Sequence, residues 1–200
     1  MKNRWLMLLL LAGMVITVDQ VTKELVIANL ALYESVEPIP ALSDYFKITH
    51  SFNTGAAFGI LPNASDLFLG MALLIVLTLL FFYGRIPPEG WVTRMGVSLI
   101  IGGALGNVLD RIRHDHVTDF IHYQIPDLFS NVSNLADHAI VLGVILIFID
   151  SFRLERLERQ RAATAQAEET TTPGSTEAGT EGQPLQSQQT GTQENPQNRG

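Results

Sequence analysis

Four long apolar runs constrain this chain of 200 residues more than any other feature. The first begins at Trp5, runs to Val18 and continues past polar residues toward Leu32. The second covers about Leu67 to Tyr83, the third Trp91 to Leu109 and the fourth Leu135 to Phe152. At a rise of about 1.5 Å per residue, each can cross most or all of a hydrocarbon core about 30 Å thick. Lipid offers no partner to a free backbone amide, so each run must be helical inside the membrane. Lys2 and Arg4 ahead of the first run resemble the start of a cleaved leader. Asp19-Gln20-Val21-Thr22-Lys23 follows in place of a small-residue cleavage site, so an uncleaved span is expected.

Positive charges orient the spans. Lys2 and Arg4, Arg85 and Arg94, and Arg153, Arg156, Arg159 and Arg161 all fall on one side of a four-span chain. Both termini are therefore expected in the cytoplasm, with segments 33–66 and 110–134 outside. Arg111 and Arg113 break the rule on the outer side and call for a functional reason. Within the first outer segment, Phe46, Ile48, His50 and Phe52 alternate with Lys47, Thr49, Ser51 and Asn53. That is a strand signature, and it predicts a small sheet at the outer interface. Pro38 and Pro40 precede it in an extended or turning stretch.

Hydrophobic residues make up 46% of the chain, yet from Ala162 onward it is Thr, Gln, Glu, Gly, Pro and Ser without aromatics. Such a tail cannot bury enough apolar area to offset its ordering entropy. The expected organisation is a membrane domain over 1–161 and a disordered cytoplasmic tail over 162–200. The formal charge of −7 is uneven, because five Glu and one Arg place −4 in the tail. No basic stripe points to nucleic acid. Cysteine is absent, which excludes disulfides, thiol nucleophiles and thiolate metal sites.

Charged side chains in a bilayer cost about 2.5–3.5 kcal/mol each on insertion scales, so they are candidates for function. Asp19 and Lys23 sit four residues apart on one helix face, where they can pair. An ion pair that ends the helix and a direct part in substrate binding are both open. Gly102 and Gly106 make a small face for close helix approach. Packing accounts for those glycines but not for Asn107 and Arg111, which share a side of the same helix end. With Asn134 as an N-cap, Asp137 falls at the third helical position, where a carboxylate suits the helix dipole. Asp119 lies among apolar neighbours in Val117-Thr118-Asp119-Phe120-Ile121, between the third and fourth spans. Taken singly, Asp137 is equally a cap and Asp119 a loop residue. Together they lie at one outer depth, near Arg111 and Asn134. Two carboxylates sharing a site cannot both ionise easily, so one holds a proton while the other acts as base. Such a pair can activate water against a peptide carbonyl and protonate the leaving amine.

In these motifs the sequence resembles the lipoprotein signal peptidases (signal peptidase II). The resemblance covers about residues 4–153 and consists of five boxes in order. They are Asp19 to Lys23, Asn53 to Gly59, Gly102 to Arg111, Val117 to Ile121, and Asn134 to Asp137 with Gly143. It implies an all-α membrane protein of four transmembrane helices with a small extracytoplasmic β-cradle. It also implies an aspartyl protease of the bacterial cytoplasmic (inner) membrane, without metal or cofactor, working as a monomer in membrane lipid. Its substrates would be prolipoproteins carrying diacylglycerol on a cysteine, cut just before that cysteine. By position Asp119 and Asp137 correspond to the catalytic pair. Asp19, Lys23, Asn53, Gly103, Asn107, Arg111 and Asn134 fall on the other motif positions, counted here as substrate-binding. Asn53 and Arg111 would hold the substrate backbone or lipid head, and Asn107 and Asn134 would orient the site. Two positions depart from the family pattern. Ser133 stands where phenylalanine is usual, and His138 follows Asp137 where a small residue is commoner.

Other chemistries lack their signatures. Gly-x-Ser-x-Gly, His-Glu-x-x-His and the Gly-x-Gly-Asp core of presenilin-like proteases are all missing. His114 and His116, two histidines in an outer loop, are expected to stay unliganded. A proton-coupled transporter would place its acids near the midplane and repeat its halves. A purely structural scaffold would leave the outer Asn, Asp and Arg cluster unexplained.

Overall fold

The computed structural model describes residues 2–55 and 64–171. Four helices form where the apolar runs require them: α1 (Lys2–Asn29), α2 (Ser65–Tyr83), α3 (Trp91–His114) and α4 (Leu135–Thr171). All four are long and apolar enough to cross a membrane. They differ in what surrounds them. In α3, 61% of the apolar stretch is buried, against 6% in α2 and 17% in α1 and α4. Helix α3 is therefore the central post. The others turn residues such as Leu9, Leu10, Leu77, Phe81 and Phe148 outward, as lipid-facing helices do.

Close packing around α3 depends on its small residues. A side chain at Gly102 would meet the Ala12 backbone of α1, and one at Gly106 the Asp19 carboxylate, so the expected small face does receive a helix. Gly103 faces the other way, where a Cβ would collide with the Ala136 carbonyl of α4. The apolar core joins Leu8 and Ala12 of α1, Val76 and Tyr83 of α2, and Val97, Ile101 and Ala104 of α3. At this end, Tyr83 Oη donates to the Arg4 carbonyl at 2.8 Å, and Arg4 donates to the Gly84 carbonyl at 2.9 Å.

An antiparallel sheet of four strands closes the opposite end, in the order β1 (Ser35–Val36), β2 (Phe46–Asn53), β3 (Val117–Ile125) and β4 (Phe129–Ser133). The strand expected over 44–53 is β2. Its alternation is interrupted by a bulge between Ile48 and Ser51, which shifts the phase and buries Thr49. Val26, Phe120 and Ile121, with Leu30, Phe46, Ile48 and Leu135, pack the sheet against the ends of α1 and α4. At its far end α4 continues to Thr171, past the expected start of the polar tail. Ala162, Ala163 and Ala165 favour helix, which accounts for the extension. The tail from 172 onward, and Ala56 to Gly59 of the second motif, lie outside the described residues.

Candidate active site

Two acids arrive at the outer end from different kinds of element. Asp119 sits in β3, opposite Ser51 of β2. Val117 to Ile121 are all buried, so this stretch carries no alternating pattern. Asp137 lies in the first turn of α4. There its amide donates to Asn134 Oδ1 at 3.0 Å, so Asn134 is the N-cap that the sequence suggested.

Asparagine side chains connect the two. Asn134 Nδ2 donates to Asp119 Oδ1 at 2.7 Å and to Asn107 Oδ1 at 3.2 Å. Asn107 Nδ2 donates in turn to Asp137 Oδ1 at 2.8 Å. Asn53 hydrogen-bonds Asp119 from β2, while its own Oδ1 accepts the Gly55 amide at 2.9 Å. Burial, followed by the negative charge of Asp137, pushes the Asp119 carboxyl up to about 7; the bonds from Asn134 and Asn53 pull the other way. Near neutral pH, Asp119 thus exchanges a proton readily beside a second carboxylate. Arg111 interacts electrostatically with both acids. Its Nη1 reaches the Asn107 carbonyl at 3.4 Å, and its buried Nε has no partner among the described residues.

Asp119, Asp137, Asn53, Asn107 and Arg111 border one groove of about 710 Å³. Its inner wall is apolar, with Phe68, Val141, Leu142 and Ile145. Its outer wall carries Tyr123, His138 and Asn131 to Ser133. Asp19, Lys23, Gly103 and Asn134 stand behind this lining. Asp19 and Lys23 do pair, at 2.8 Å, and both are buried. Asp19 Oδ1 also accepts the Ala136 amide at 2.9 Å, which places a carboxylate at the positive end of α4.

One member of this cluster was not singled out in the sequence. Asp110 lies 2.8 Å from Lys23 Nζ and accepts the Thr118 amide at 3.1 Å and Gln20 Nε2 at 2.7 Å. It therefore fixes the start of β3 to α1 and α3. The signal was Lys23, a buried cation three-quarters along a span, with Asp110 three residues past Asn107 at the same depth. The rings of His114 and His116 lie 5.9 Å apart, with His116 against Phe52, and neither residue lines the groove.

The chain's likenesses agree with this geometry. The signal peptidase (SPase) II family profile matches residues 11–153. A lipoprotein signal peptidase of Moorella thermoacetica is 39% identical over 139 residues, covering 70% of this chain and 88% of that protein. One from Halothermothrix orenii is 39% identical over 143 residues, covering 72% and 93%. Two solved structures, each described as a bacterial membrane enzyme, superpose on the chain. The first has a TM-score of 0.65 at 30% identity, covering 86% of this chain and 94% of the other. The second has a TM-score of 0.61 at 34% identity, covering 72% and 90%. A bundle of four membrane helices, capped by a sheet that delivers polar groups to one groove, is thus matched along nearly its whole length. The chain belongs to the signal peptidase II family, the bacterial membrane peptidases that remove signal peptides from prolipoproteins.

Proposed function

We propose that this peptidase is an aspartic endopeptidase that cuts diacylglyceryl-modified prolipoproteins just before the lipidated cysteine, with Asp119 as acid and Asp137 as base. The observation that carries the assignment is the pair itself: one carboxyl raised by burial, the other fixed in the first turn of α4, with Asn134 and Asn107 joining the two. Asp137 takes a proton from water as the water oxygen bonds to the scissile carbonyl carbon. Asp119 passes its proton to the leaving nitrogen as the C–N bond breaks. One proton has then moved from one acid to the other, and its return resets the pair.

The remaining residues divide by position. Arg111 and Asn53, on the groove wall, hold the substrate backbone or its lipid head. Asn107 and Asn134 orient the two acids. Asp19, Lys23 and Gly103 act from behind, by fixing α4 against α1 and α3. The apolar wall of Val141, Leu142 and Ile145 suits acyl chains entering from the bilayer. Arg85, Arg94 and Arg153 lie at the opposite end of the bundle, so the positive-inside rule puts both termini in the cytoplasm and the groove at the outer face. A monomer suffices for this chemistry, because one chain supplies every group that it uses.

The test is cleavage of a diacylglyceryl-modified prolipoprotein by the purified protein, beside Asp119→Asn and Asp137→Asn. Cleavage before the lipidated cysteine should fall by about 10³-fold or more in each variant. A folded but inert wild type, or variants that still cut, would overturn the assignment. Arg111→Ala with unchanged cleavage would remove Arg111 from substrate holding.

A further inference from the structure

The outer wall of the groove contains three consecutive residues of β4: Asn131, Val132 and Ser133. Successive side chains of a strand point to opposite faces, so a single face cannot supply three in a row. Asn131 pairs with Tyr123 and Ser133 with Ile121, so these two share the sheet face that carries Tyr123 and Asp119 to the groove. Val132, whose side chain turns to the other face, borders the groove through its main chain. Strand β4 is the last of the sheet and pairs only with β3. Among the described residues, Asn131, Val132 and Ser133 make no backbone hydrogen bond beyond that ladder.

Sheet edges are ordinarily protected by brevity, charge, proline or a bulge. The other edge of this sheet, β1, is two residues long. By contrast, β4 has five residues, Phe-Ser-Asn-Val-Ser, with no charge and no proline. Its register against β3 is uninterrupted from Ile121↔Ser133 to Ile125↔Phe129. Among the described residues, the register of this sheet shifts only in β2, two strands away. A strand whose outer edge is unpaired among the described residues, and whose main chain borders a reaction groove, is suited to an extended peptide.

Its placement says which peptide. Strand β4 runs directly through Asn134 into the first turn of α4, so its last residues lie four to six positions from Asp137. From the dyad, α4 leads through Val141, Leu142 and Ile145 along the membrane span, while β4 leads away from it. A signal peptide is apolar and stays in lipid; the mature lipoprotein is polar and must leave toward water. We infer that the free edge of β4 at Asn131–Ser133 binds the first residues of the mature chain, beyond the cysteine, as an added β-strand. This inference rests on the proposed substrate and cut site.

Main-chain pairing gives affinity without demanding particular side chains, so one edge can serve many lipoproteins of different sequence. It also imposes a period of two: alternate residues of the bound chain turn their amides toward β4, and those between turn them away.

The experiment changes the substrate and leaves the protein intact. Synthetic diacylglyceryl prolipoprotein peptides are made with one amide at a time replaced by an ester, at the second, third, fourth and fifth residues counted from the cysteine. KM and kcat are measured with the wild-type enzyme. An ester removes one N–H donor, and loss of one such bond should raise KM about fivefold. The expected result is a rise at alternate positions, with kcat little changed and the intervening positions near normal. Equal KM at all four positions, with the all-amide peptide cut normally, would overturn edge pairing and leave the dyad standing. An all-amide peptide that the wild type does not cut would overturn the substrate assignment and the edge pairing with it.

Discussion

Two pairs of acids, all but the half-buried Asp137 fully buried, lie at the same end of this bundle and are treated in opposite ways. Asp19 and Asp110 share a cation: Lys23 Nζ lies 2.8 Å from each, and backbone amides of Ala136 and Thr118 complete their coordination. Asp119 and Asp137 share only amides, through Asn134 and Asn107. The first pair is bridged by one ammonium and fixed, and it holds three helices and a strand in place. In the second pair, no cation makes a hydrogen bond with either carboxylate among the described residues, so one carboxyl stays near its proton. The contrast shows two ways in which buried carboxyls are held here. Burial alone serves structure as readily as chemistry, and the outcome depends on whether a lysine or an asparagine stands beside it.

The comparison breaks most severely if the shared cation is removed. Lys23→Met leaves two buried carboxylates facing each other, and such uncompensated burial costs about 3–5 kcal/mol. The thermal midpoint of the purified protein should fall sharply. Adding Asp110→Asn should recover part of the loss, because one negative charge is removed along with the positive one. A midpoint in Lys23→Met equal to that of the wild type would mean that the lysine does not hold the first pair.

A smaller effect of opposite sign is expected in the second pair. The Asp119 carboxyl is raised from 3.8 to about 7, so the folded state prefers it protonated. That preference contributes stability fully below about pH 4 and loses it as pH rises through 7. Asp119→Asn is neutral throughout and keeps an oxygen acceptor for Asn134. Above pH 7 it should therefore be more stable than wild type, by up to a few kcal/mol. Below pH 4 the two should melt together. A scan of thermal midpoint against pH decides this, and midpoints that coincide at pH 8 would refute the raised carboxyl. In the wild type, cleavage should decline above about pH 7 as the acid is lost.

The finest test concerns the amide between the acids. Asn134→Ala removes the cap of α4, worth about 1 kcal/mol, and the bond that favours charged Asp119. Without that donor the carboxyl should hold its proton more firmly, so the alkaline decline in cleavage should move to higher pH. A pH–rate profile of the residual activity would show the shift. An unmoved limb would mean that Asn134 only caps.

Much of this could be read from the chain, and what escaped has physical causes. The four spans were legible because lipid demands uninterrupted apolar helix. The end of α3 was not: it continues to His114 because Asp110 finds buried partners and Arg111 and Arg113 lie in its last turn. Strand β2 announced itself by alternation, at least as far as its bulge. Strand β3 did not, since Val117 to Ile121 are covered on both sides and lose the period of two. Asp119 therefore looked like a loop residue, although its side chain is fixed by a strand. Asp137 and its cap were legible because helix starts follow local rules. Asp110 was hidden because its meaning depends on Lys23, 87 positions earlier in the chain.

The bond from Asp19 to the Ala136 amide joins the first helix to the beginning of the last. While the chain is being made, α1 enters the bilayer long before that amide exists. Until then, Asp19 has Lys23 one turn away, and the two can travel into lipid as a self-neutralising couple. Only when α4 arrives does Asp19 gain its final partner, and the same event brings Asp137 beside Asp119. On the proposed assignment, completion of the last span thus switches on the chemistry. A ribosome-bound or truncated chain lacking α4 carries no working scissors, so a nascent peptidase is harmless to its neighbours until its synthesis is essentially finished.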